Sequence, residues 1–342
     1  MATIQDIARI SGYSTGTVSR VINNRADVSD EARARIEQVI KEQNYQPNSN
    51  ARMLRQSVSP ELSVIVRGNG SIFFQSVLVQ TQHCVRGRGE IANVRFIGEQ
   101  DNEVEVAEQL VQQLKPKGLI FLGASANNIK KGFSAISLPS VLIASSAEGF
   151  GFDNLSSFTT DDWNAAKHAV SVLVSQGHKR IGILGGYQEY LDGPRHGDVP
   201  SLRVRGAVEE LEKSGIEFDF GRDYEPCSPL AEGGYQAAKR LLTRAQDLTA
   251  IFAIKDSIAL GAMRALRDMS LSVPEDISVV GFDGIIYTKY SVPRLTTIRQ
   301  DVTALAEKGV GDLLMRISYE GTPVHEKVPY LFVNGESVAR PR

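Results

Sequence analysis

Apolar residues recur at helical spacing in three short segments at the start of the chain, and this pattern predicts three helices. The first covers residues 3–10, and the second runs from Ser14, a suitable N-cap, to about Ile22. The third begins at Ser29 and ends before Pro47, because proline cannot continue a helix interior. A tight glycine-containing turn joins the first two helices, an arrangement typical of a helix-turn-helix, although a small bundle that binds nothing has the same pattern.

From about residue 61 the pattern changes to short, β-rich apolar runs that alternate with helical segments. The alternation predicts parallel sheets with helices on both faces. About 280 residues exceed one such sheet, so two similar α/β lobes are expected, with a ligand cleft at the carboxyl ends of their strands. The predicted strands are Leu62–Val66, Gly118–Leu122, Ser140–Ala144, Arg180–Leu184, Ala250–Ala253 and Ile277–Val280, and the predicted helices are Phe73–Val85, Trp163–Ser175, Leu202–Ser214 and Ser257–Met269.

Charge is distributed unevenly along the chain. The 342 residues carry a net charge of −2, which does not by itself indicate a nucleic-acid binder. Residues 1–56, however, contain eight Lys and Arg against six Asp and Glu, while the remainder contains 30 against 34. The mildly basic helical part therefore permits DNA binding without demonstrating it.

The composition argues against a membrane or metal protein. No run of about 18 or more apolar residues occurs, so no transmembrane helix is expected. The residues after Met1 do not resemble a secretory signal, so a cytoplasmic location is expected. Cys84 and Cys227 lie far apart without metal-ligand spacing, and we interpret them as buried free thiols. Neither a metal nor a cofactor is therefore expected.

The second predicted helix, which begins at Ser14, is the expected DNA-reading element. Thr15 and Gly16 lie at its N-terminal end, the part that enters the major groove in a helix-turn-helix. Arg20, one turn further, is long enough to donate two hydrogen bonds to a guanine edge. Gly16 either allows close approach of the backbone or contacts a thymine methyl group poorly, and both interpretations stay open. Phosphate contacts, which set the register without reading sequence, are expected from Thr3, Thr17, Ser19 and Asn23.

Ordered motifs along the whole chain carry a family resemblance. The N-terminal motifs are Thr3-Ile4-x-Asp6-Ile7-Ala8, Ser14-x-x-Thr17-Val18-Ser19-Arg20-Val21-Ile22-Asn23 and Tyr45-x-Pro47-Asn48-x-x-Ala51-Arg52-x-Leu54. Later motifs are Gly177-His178-Lys179-Arg180-Ile181, Asp256-x-x-Ala259-x-Gly261-Ala262, Val273-Pro274-Glu275-Asp276-Ile277-Ser278-Val279-Val280-Gly281-Phe282-Asp283 and Pro293-x-Leu295-Thr296-Thr297-Ile298. Together they resemble the lactose repressor / galactose repressor family of bacterial regulators.

The resemblance implies a fold and a mode of action. The implied fold is an N-terminal all-α helix-turn-helix headpiece with a hinge helix, followed by an α/β core of two doubly wound parallel-sheet lobes, as in periplasmic binding proteins. The implied function is that of a homodimeric transcription regulator, a repressor, which binds a near-palindromic double-stranded DNA operator under the control of a small, carbohydrate-derived effector. The corresponding boundaries are 1–45 for the headpiece, 46–60 for the hinge and 61–342 for the core, with lobe one at about 61–160 and 288–320 and lobe two at about 161–287 and 321–342.

The resemblance also implies a mechanism for the hinge. In the family this segment becomes helical only on the operator, where a leucine that corresponds to Leu54 wedges into the central base step. Residues 46–57 are consistent with this, because so short a segment with poor helix formers is not a stable isolated helix. Packing of Leu54 against the core is the alternative. Backbone or minor-groove contacts are expected from Asn48, Arg52 and Arg55.

For the effector pocket, the resemblance points to five residues. Arg203, three residues before Gly206, corresponds to the family arginine that grips the effector, and Asp283 corresponds to the pocket aspartate. Phe73 and Phe74 occupy the first-lobe position that faces the ligand in the family. Lys255 completes the expected set.

The chain departs from the neutral-sugar pattern of the family at this pocket. Lys255 replaces an asparagine, Ala144 an aspartate and Pro229 an aromatic residue that are frequent in sugar-binding members. Lys255 and Arg203 are both cationic donors, so as a pair they favour an acidic or phosphorylated effector. The alternative is that Lys255 faces solvent or pairs with a carboxylate.

The sequence also bears on three alternatives to a regulator controlled by a small effector. An enzyme is disfavoured because no P-loop, nucleophile elbow or metal cluster is present, and Asp161-Asp162 is interpreted as an interlobe pair and helix cap rather than an acid–base dyad. A periplasmic solute-binding protein would share the two-lobed core but requires export. A regulator that responds to a protein partner instead of a small molecule stays open.

Overall fold

The computed structural model describes residues 4–22, 28–43, 61–68, 70–188, 198–319 and 321–342, without the side chains of Ile4, Gln5 and Ser19. The chain divides into two compact units, Met1–Ser59 and Pro60–Arg342. The predicted hinge segment, 46–60, lies outside the described residues. So do six residues for which DNA contacts are predicted, namely Thr3, Asn23, Asn48, Arg52, Leu54 and Arg55.

The N-terminal unit contains the three predicted helices, α1 (Ile4–Ser11), α2 (Thr15–Ile22) and α3 (Asp30–Glu42). The apolar stripe of each helix faces the other two. The side chains that form this small core are Ile7, Ala8, Val18, Val21, Ile36 and Val39. The spacing of apolar residues therefore identified both the helices and their buried faces.

The second unit is built on two sheets of six strands each. The strands are β1 (Glu61–Arg67), β2 (Ile91–Ile97), β3 (Gly118–Leu122), β4 (Ser140–Ile143), β5 (Leu155–Thr160), β6 (Ile181–Leu184), β7 (Tyr224–Glu225), β8 (Ala250–Ala253), β9 (Ser278–Asp283), β10 (Thr296–Gln300), β11 (His325–Val328) and β12 (Tyr330–Val333). The helices between them are α4 (Ile72–Gly87), α5 (Glu103–Leu114), α6 (Ala126–Gly132), α7 (Asp162–Ser175), α8 (Val199–Lys213), α9 (Phe220–Asp223), α10 (Ala231–Arg244), α11 (Asp256–Asp268) and α12 (Val302–Tyr319).

Each sheet, together with the helices packed on it, forms one lobe. The strand order is β11-β5-β4-β3-β1-β2 in the first lobe and β12-β10-β9-β8-β6-β7 in the second. The first sheet is parallel throughout. In the second sheet the strands pair in parallel as predicted, except that the edge strand β12 runs antiparallel to β10. Buried residues without alternation along β3, β4 and β8 are typical of strands covered on both faces.

The predicted boundaries of the lobes are wrong near the end of the chain. The segment 288–320 was assigned to the first lobe, but β10 pairs with β9 in the second sheet. Only α12 of that segment belongs to the first lobe, where Leu305, Val310 and Leu313 join its core. Conversely, β11 pairs with β5 in the first sheet although the second lobe was predicted. The chain therefore crosses between lobes three times, after β5, after β10 and after β11.

Glycines allow two helices of the second lobe to cross in close contact. A Cβ atom at Gly261 of α11 would lie 1.9 Å from the carbonyl oxygen of Ala231 in α10. A Cβ atom at Gly234 of α10 would lie 2.2 Å from the carbonyl oxygen of Ile258 in α11. Both obstacles are backbone atoms, so neither helix can yield without a shift of its axis.

Among the described helices, none combines the length and apolar character that a bilayer crossing requires.

We expect Gly261→Ala to lower the free energy of unfolding by about 1–3 kcal/mol or more, because the added methyl group forces α10 and α11 apart. Gly87→Ala, near the end of α4, is the matched control, since an added Cβ there meets no atom within 4 Å. The control should be neutral or stabilising by up to about 1 kcal/mol. Urea unfolding of both variants measures this, and equal stabilities would contradict the proposed close crossing.

Candidate functional site

The predicted DNA-reading helix presents the expected face to solvent. Ser14 caps α2, because its Oγ accepts a hydrogen bond from the backbone N–H of Thr17 at 3.1 Å. Thr15, Gly16 and Arg20 are exposed, while Val18 and Val21, on the opposite side, are buried. A Cβ atom at Gly16 would meet only the Oγ of Ser14, at an ordinary 3.6 Å. Packing within the unit therefore does not require glycine at this exposed position.

A cavity of about 470 Å³ lies between the two lobes of the core, within the range of pockets for small ligands. Several of its lining residues lie at or shortly after the ends of strands β1, β3, β4, β6, β8 and β9, so the cavity occupies the carboxyl ends of the strands as predicted. All five residues of the predicted pocket line this cavity, namely Phe73, Phe74, Arg203, Lys255 and Asp283. The structure thus brings together residues that lie far apart in sequence.

Phe74 provides an apolar surface on the first-lobe side of the cavity. It follows the N-cap of α4, Ser71, whose Oγ accepts a hydrogen bond from the backbone N–H of Phe74 at 3.3 Å. Its ring lies against Gly123, where a Cβ atom would come within 2.7 Å of the ring and where φ is +77°. Phe73 makes an edge contact with this ring at a centroid distance of 5.2 Å and belongs mainly to the core.

Arg203 lies buried at the second-lobe side, between two carboxylates. Its Nε donates to Oδ1 of Asp162 at 2.8 Å, and its Nη1 donates to Oδ1 of Asp283 at 3.0 Å. Nη1 also donates to the carbonyl oxygen of Ile254 at 2.7 Å, and the guanidinium lies 3.7 Å from the centroid of the Phe282 ring. Burial would lower the pKa of Arg203, but the two carboxylates raise it above its ordinary value.

This arrangement corrects the prediction that Arg203 and Lys255 act as a cationic pair toward an acidic effector. The charge of Arg203 is already balanced by Asp162 and Asp283, so it has no excess positive charge to offer a ligand. Burial raises the pKa of Asp162, and the charge of Arg203 partly opposes that rise.

Asp161, by contrast, accepts a hydrogen bond from the backbone N–H of Asn164 at 3.2 Å and caps α7, as interpreted from the sequence.

A chain of buried hydrogen bonds joins this ion-pair cluster to the first lobe. Nε2 of Gln300, the last residue of β10, donates to Oδ1 of Asp283 at 2.8 Å. Oγ1 of Thr160, the last residue of β5 in the first sheet, donates to Oε1 of Gln300 at 2.8 Å. Neither Gln300 nor Thr160 is among the site residues predicted from the sequence. A polar side chain at the carboxyl end of an apolar strand is the signal that identifies Gln300.

Lys255 precedes α11 and lines the cavity. Its ammonium group forms no hydrogen bond or ion pair with any residue in the described part of the chain, so the alternative in which it pairs with a carboxylate is wrong. Burial lowers the pKa of Lys255, and the negative charges of Asp283 and Glu99 partly oppose this effect. The cavity therefore contains a cation that has no counter-ion in direct contact.

Backbone strain is concentrated at the cavity. Four described residues other than glycine have a positive φ angle, and two of them, Ala144 at +63° and Asp283 at +119°, line the cavity. Such conformations are unfavourable for residues with a Cβ atom and persist where the surrounding contacts impose them. At Asp283 these contacts are the hydrogen bonds from Arg203 and Gln300.

Neither cysteine belongs to a metal site among the described residues. Cys84 and Cys227 are both free, but Cys227 is only half-buried and lines the cavity, which differs from the predicted burial. Burial raises the pKa of Cys227 to about 12, so the thiol stays neutral near pH 7. No group of three or more His, Cys, Asp or Glu within the described ranges is arranged to hold a metal ion.

Comparison with known proteins assigns the family. Residues 3–48 match the family described as bacterial regulatory proteins, lacI family, and residues 170–338 match the periplasmic binding protein-like domain. The chain is 33% identical to the HTH-type transcriptional regulator MalR of Clostridium butyricum over 94% of its own length and 95% of that relative. The chain belongs to the lacI family of bacterial regulatory proteins.

Other lacI-family relatives extend this result. The HTH-type transcriptional regulator GalR of Escherichia coli strain K12 is 32% identical over 90% of this chain and 86% of that relative. Among solved structures, the lac repressor dimer bound to operator and the anti-inducer ONPF matches with a TM-score of 0.79, at 25% identity and 99% coverage of both chains. The predicted family and fold class are confirmed, as is the prediction of a DNA-binding transcription regulator rather than an enzyme.

In this lacI-family core, we expect Arg203→Met to lower the free energy of unfolding by about 3–5 kcal/mol, because Asp162 and Asp283 then remain buried without a counter-charge. The loss should shrink as the pH falls, because burial raises the pKa of Asp162 and its protonation removes one of the unbalanced charges. Urea unfolding at several pH values measures both effects.

Arg294→Met is the control for charge removal. Arg294 forms an exposed ion pair with Glu336 at 2.7 Å, and such pairs contribute less than about 1 kcal/mol. Equal losses for Arg203→Met and Arg294→Met would contradict the role assigned to Arg203.

Proposed function

We propose that this lacI-family regulator is a homodimeric repressor of a near-palindromic operator and that a small polar effector, a sugar or sugar derivative, controls its affinity from the interlobe cavity. One observation carries the proposal: Asp283, which lines the cavity, is hydrogen-bonded through Gln300 to Thr160 in the other lobe. A ligand that bonds to Asp283 therefore acts on the contact that links the lobes. Two-fold symmetry of the dimer accounts for the two half-sites of the operator.

The cavity suits a polyhydroxylated ligand. The ring of Phe74 offers an apolar face of the kind that carries the C–H groups of a sugar, while Lys255 and Asp283 offer a hydrogen-bond donor and an acceptor. A ligand changes the affinity for DNA only by binding one arrangement of the lobes better than the other. Couplings of this kind typically amount to about 1–3 kcal/mol, or about 5- to 150-fold in affinity.

Selection of bound duplexes from a random pool tests the DNA-binding part of the proposal. The full-length protein should enrich one near-palindromic sequence, and its affinity should then change when sugars and sugar derivatives are added in a fluorescence anisotropy assay. Absence of any sequence preference at moderate ionic strength contradicts operator recognition. Sequence preference with no response to any small molecule favours a protein partner as the controlling signal instead.

Replacement of Arg20 tests the assignment of the reading helix. We expect Arg20→Ala to cost about 1–3 kcal/mol of operator binding and to relax the preference at one base pair per half-site, because the bidentate contact to guanine is lost. Arg9→Ala is the control in the same unit, since Arg9 is exposed and pairs with Asp6 at 3.3 Å. The control should change the affinity for all sequences by the same small factor. A uniform loss for Arg20→Ala would show that Arg20 contacts only phosphate.

A further inference from the structure

The charges that line the cavity limit which ligands it accepts, if the proposed effector control holds. Arg203 is balanced by Asp162 and Asp283. Arg67, the third cation at the cavity, donates from Nε to the carbonyl oxygen of Glu99 at 3.1 Å and lies 3.9 Å from the carboxylate of Glu103. Among the described lining residues, Lys255 is therefore the cation whose donors have no protein acceptor.

One acceptor in the cavity is unused as well. Both hydrogen bonds that Asp283 accepts, from Arg203 and from Gln300, end on its Oδ1. Its Oδ2 accepts no hydrogen bond from any of the described residues. The same cavity is thus lined by an ammonium and a carboxylate oxygen without hydrogen-bond partners, which suit an acidic group and a hydroxyl group on one ligand.

The number of negative charges on the ligand follows from the same residues. Lys255 carries one positive charge, and the carboxylates of Glu99, Asp198 and Asp283 also line the cavity, so a singly charged ligand is favoured over a dianion. A phosphate dianion would place its second charge close to these carboxylates, which disfavours it. A neutral ligand would leave the ammonium of Lys255 partly desolvated and without a counter-ion, which is also unfavourable.

We propose that the effector is a sugar acid, a polyhydroxylated monocarboxylate whose carboxylate pairs with Nζ of Lys255 and whose neighbouring hydroxyl donates to Oδ2 of Asp283. Lys255 is then the residue that selects the acid over the neutral sugar. Charge-assisted hydrogen bonds are roughly twice as strong as neutral ones, so the selection should be large enough to measure.

Calorimetric titration of the full-length protein with matched pairs tests this proposal. The probes are glucuronate against glucose, galacturonate against galactose and gluconate against sorbitol, with glucose 6-phosphate as the dianion. We expect at least one acid to bind roughly 10- to 100-fold more tightly than its neutral partner and than the phosphate ester. Lys255→Met should abolish this preference, whereas Lys131→Met, which removes an exposed lysine of α6, should leave it unchanged.

Proton uptake provides a second readout that a purely structural role of Lys255 would not produce. Burial lowers the pKa of Lys255 in the free protein, where Asp283, Glu99, Asp162 and Arg203 contribute the surrounding charges. A bound carboxylate raises that pKa again, so binding should take up a proton at pH values between the pKa of the free protein and that of the complex, and affinity should fall as the pH rises through this interval. Titration in two buffers of different ionisation enthalpy measures the uptake, which Lys255→Met should lack.

The outcomes separate this inference from the proposed function. The sugar-acid assignment is overturned if no acid binds, if a neutral partner or the phosphate ester binds as tightly as the acid, or if Lys255→Met keeps the preference. In each of those cases a neutral sugar that alters operator affinity would still support effector control from the cavity. Loss of sequence preference in the DNA selection, by contrast, removes the proposed function itself.

Discussion

The buried ion-pair cluster of Arg203, Asp162 and Asp283 is the interaction on which the ligand site depends. Its members come from α8, from the start of α7 and from the end of β9, and each is at most 5% exposed. Charges removed from water to this extent are tolerated only when they are paired and hydrogen-bonded. The cluster therefore imposes the positions of three elements relative to one another, and with them the second-lobe wall of the cavity.

The cluster also explains how a small ligand can influence both lobes. Gln300 lies where the chain crosses between the lobes after β10, and Thr160 lies at the crossing after β5. The hydrogen bonds from Thr160 to Gln300 and from Gln300 to Asp283 are both buried. When one lobe rotates, these bonds must therefore be preserved or replaced by other hydrogen bonds within the protein, because water does not replace them. A ligand bonded to Asp283 changes the energy of that exchange, which is the physical requirement for coupling between sites.

Some of these features could be predicted from the local sequence pattern, and others could not. The headpiece helices were predictable because helical periodicity is a property of consecutive residues, and the cavity because ligands gather at the carboxyl ends of parallel strands. Strand β5, Leu155–Thr160, was missed because its serines and threonines weaken the apolar signal, although all six residues are buried. The lobe to which β10 and β11 belong, and the engagement of Arg203 by Asp162, depend on pairings between distant segments that no local pattern encodes.

Several groups that face the cavity lack partners or are strained in the free protein. Lys255 is partly desolvated without a counter-ion, Oδ2 of Asp283 has no donor among the described residues, and the backbone of Asp283 is strained at a φ angle of +119°. Such features are unfavourable in the folded state, and a ligand with complementary groups provides the missing counter-ion and hydrogen-bond donor. Because a ligand stabilises most where the protein alone is least satisfied, the chemistry of the effector can be inferred from the unsatisfied groups rather than from the well-packed ones.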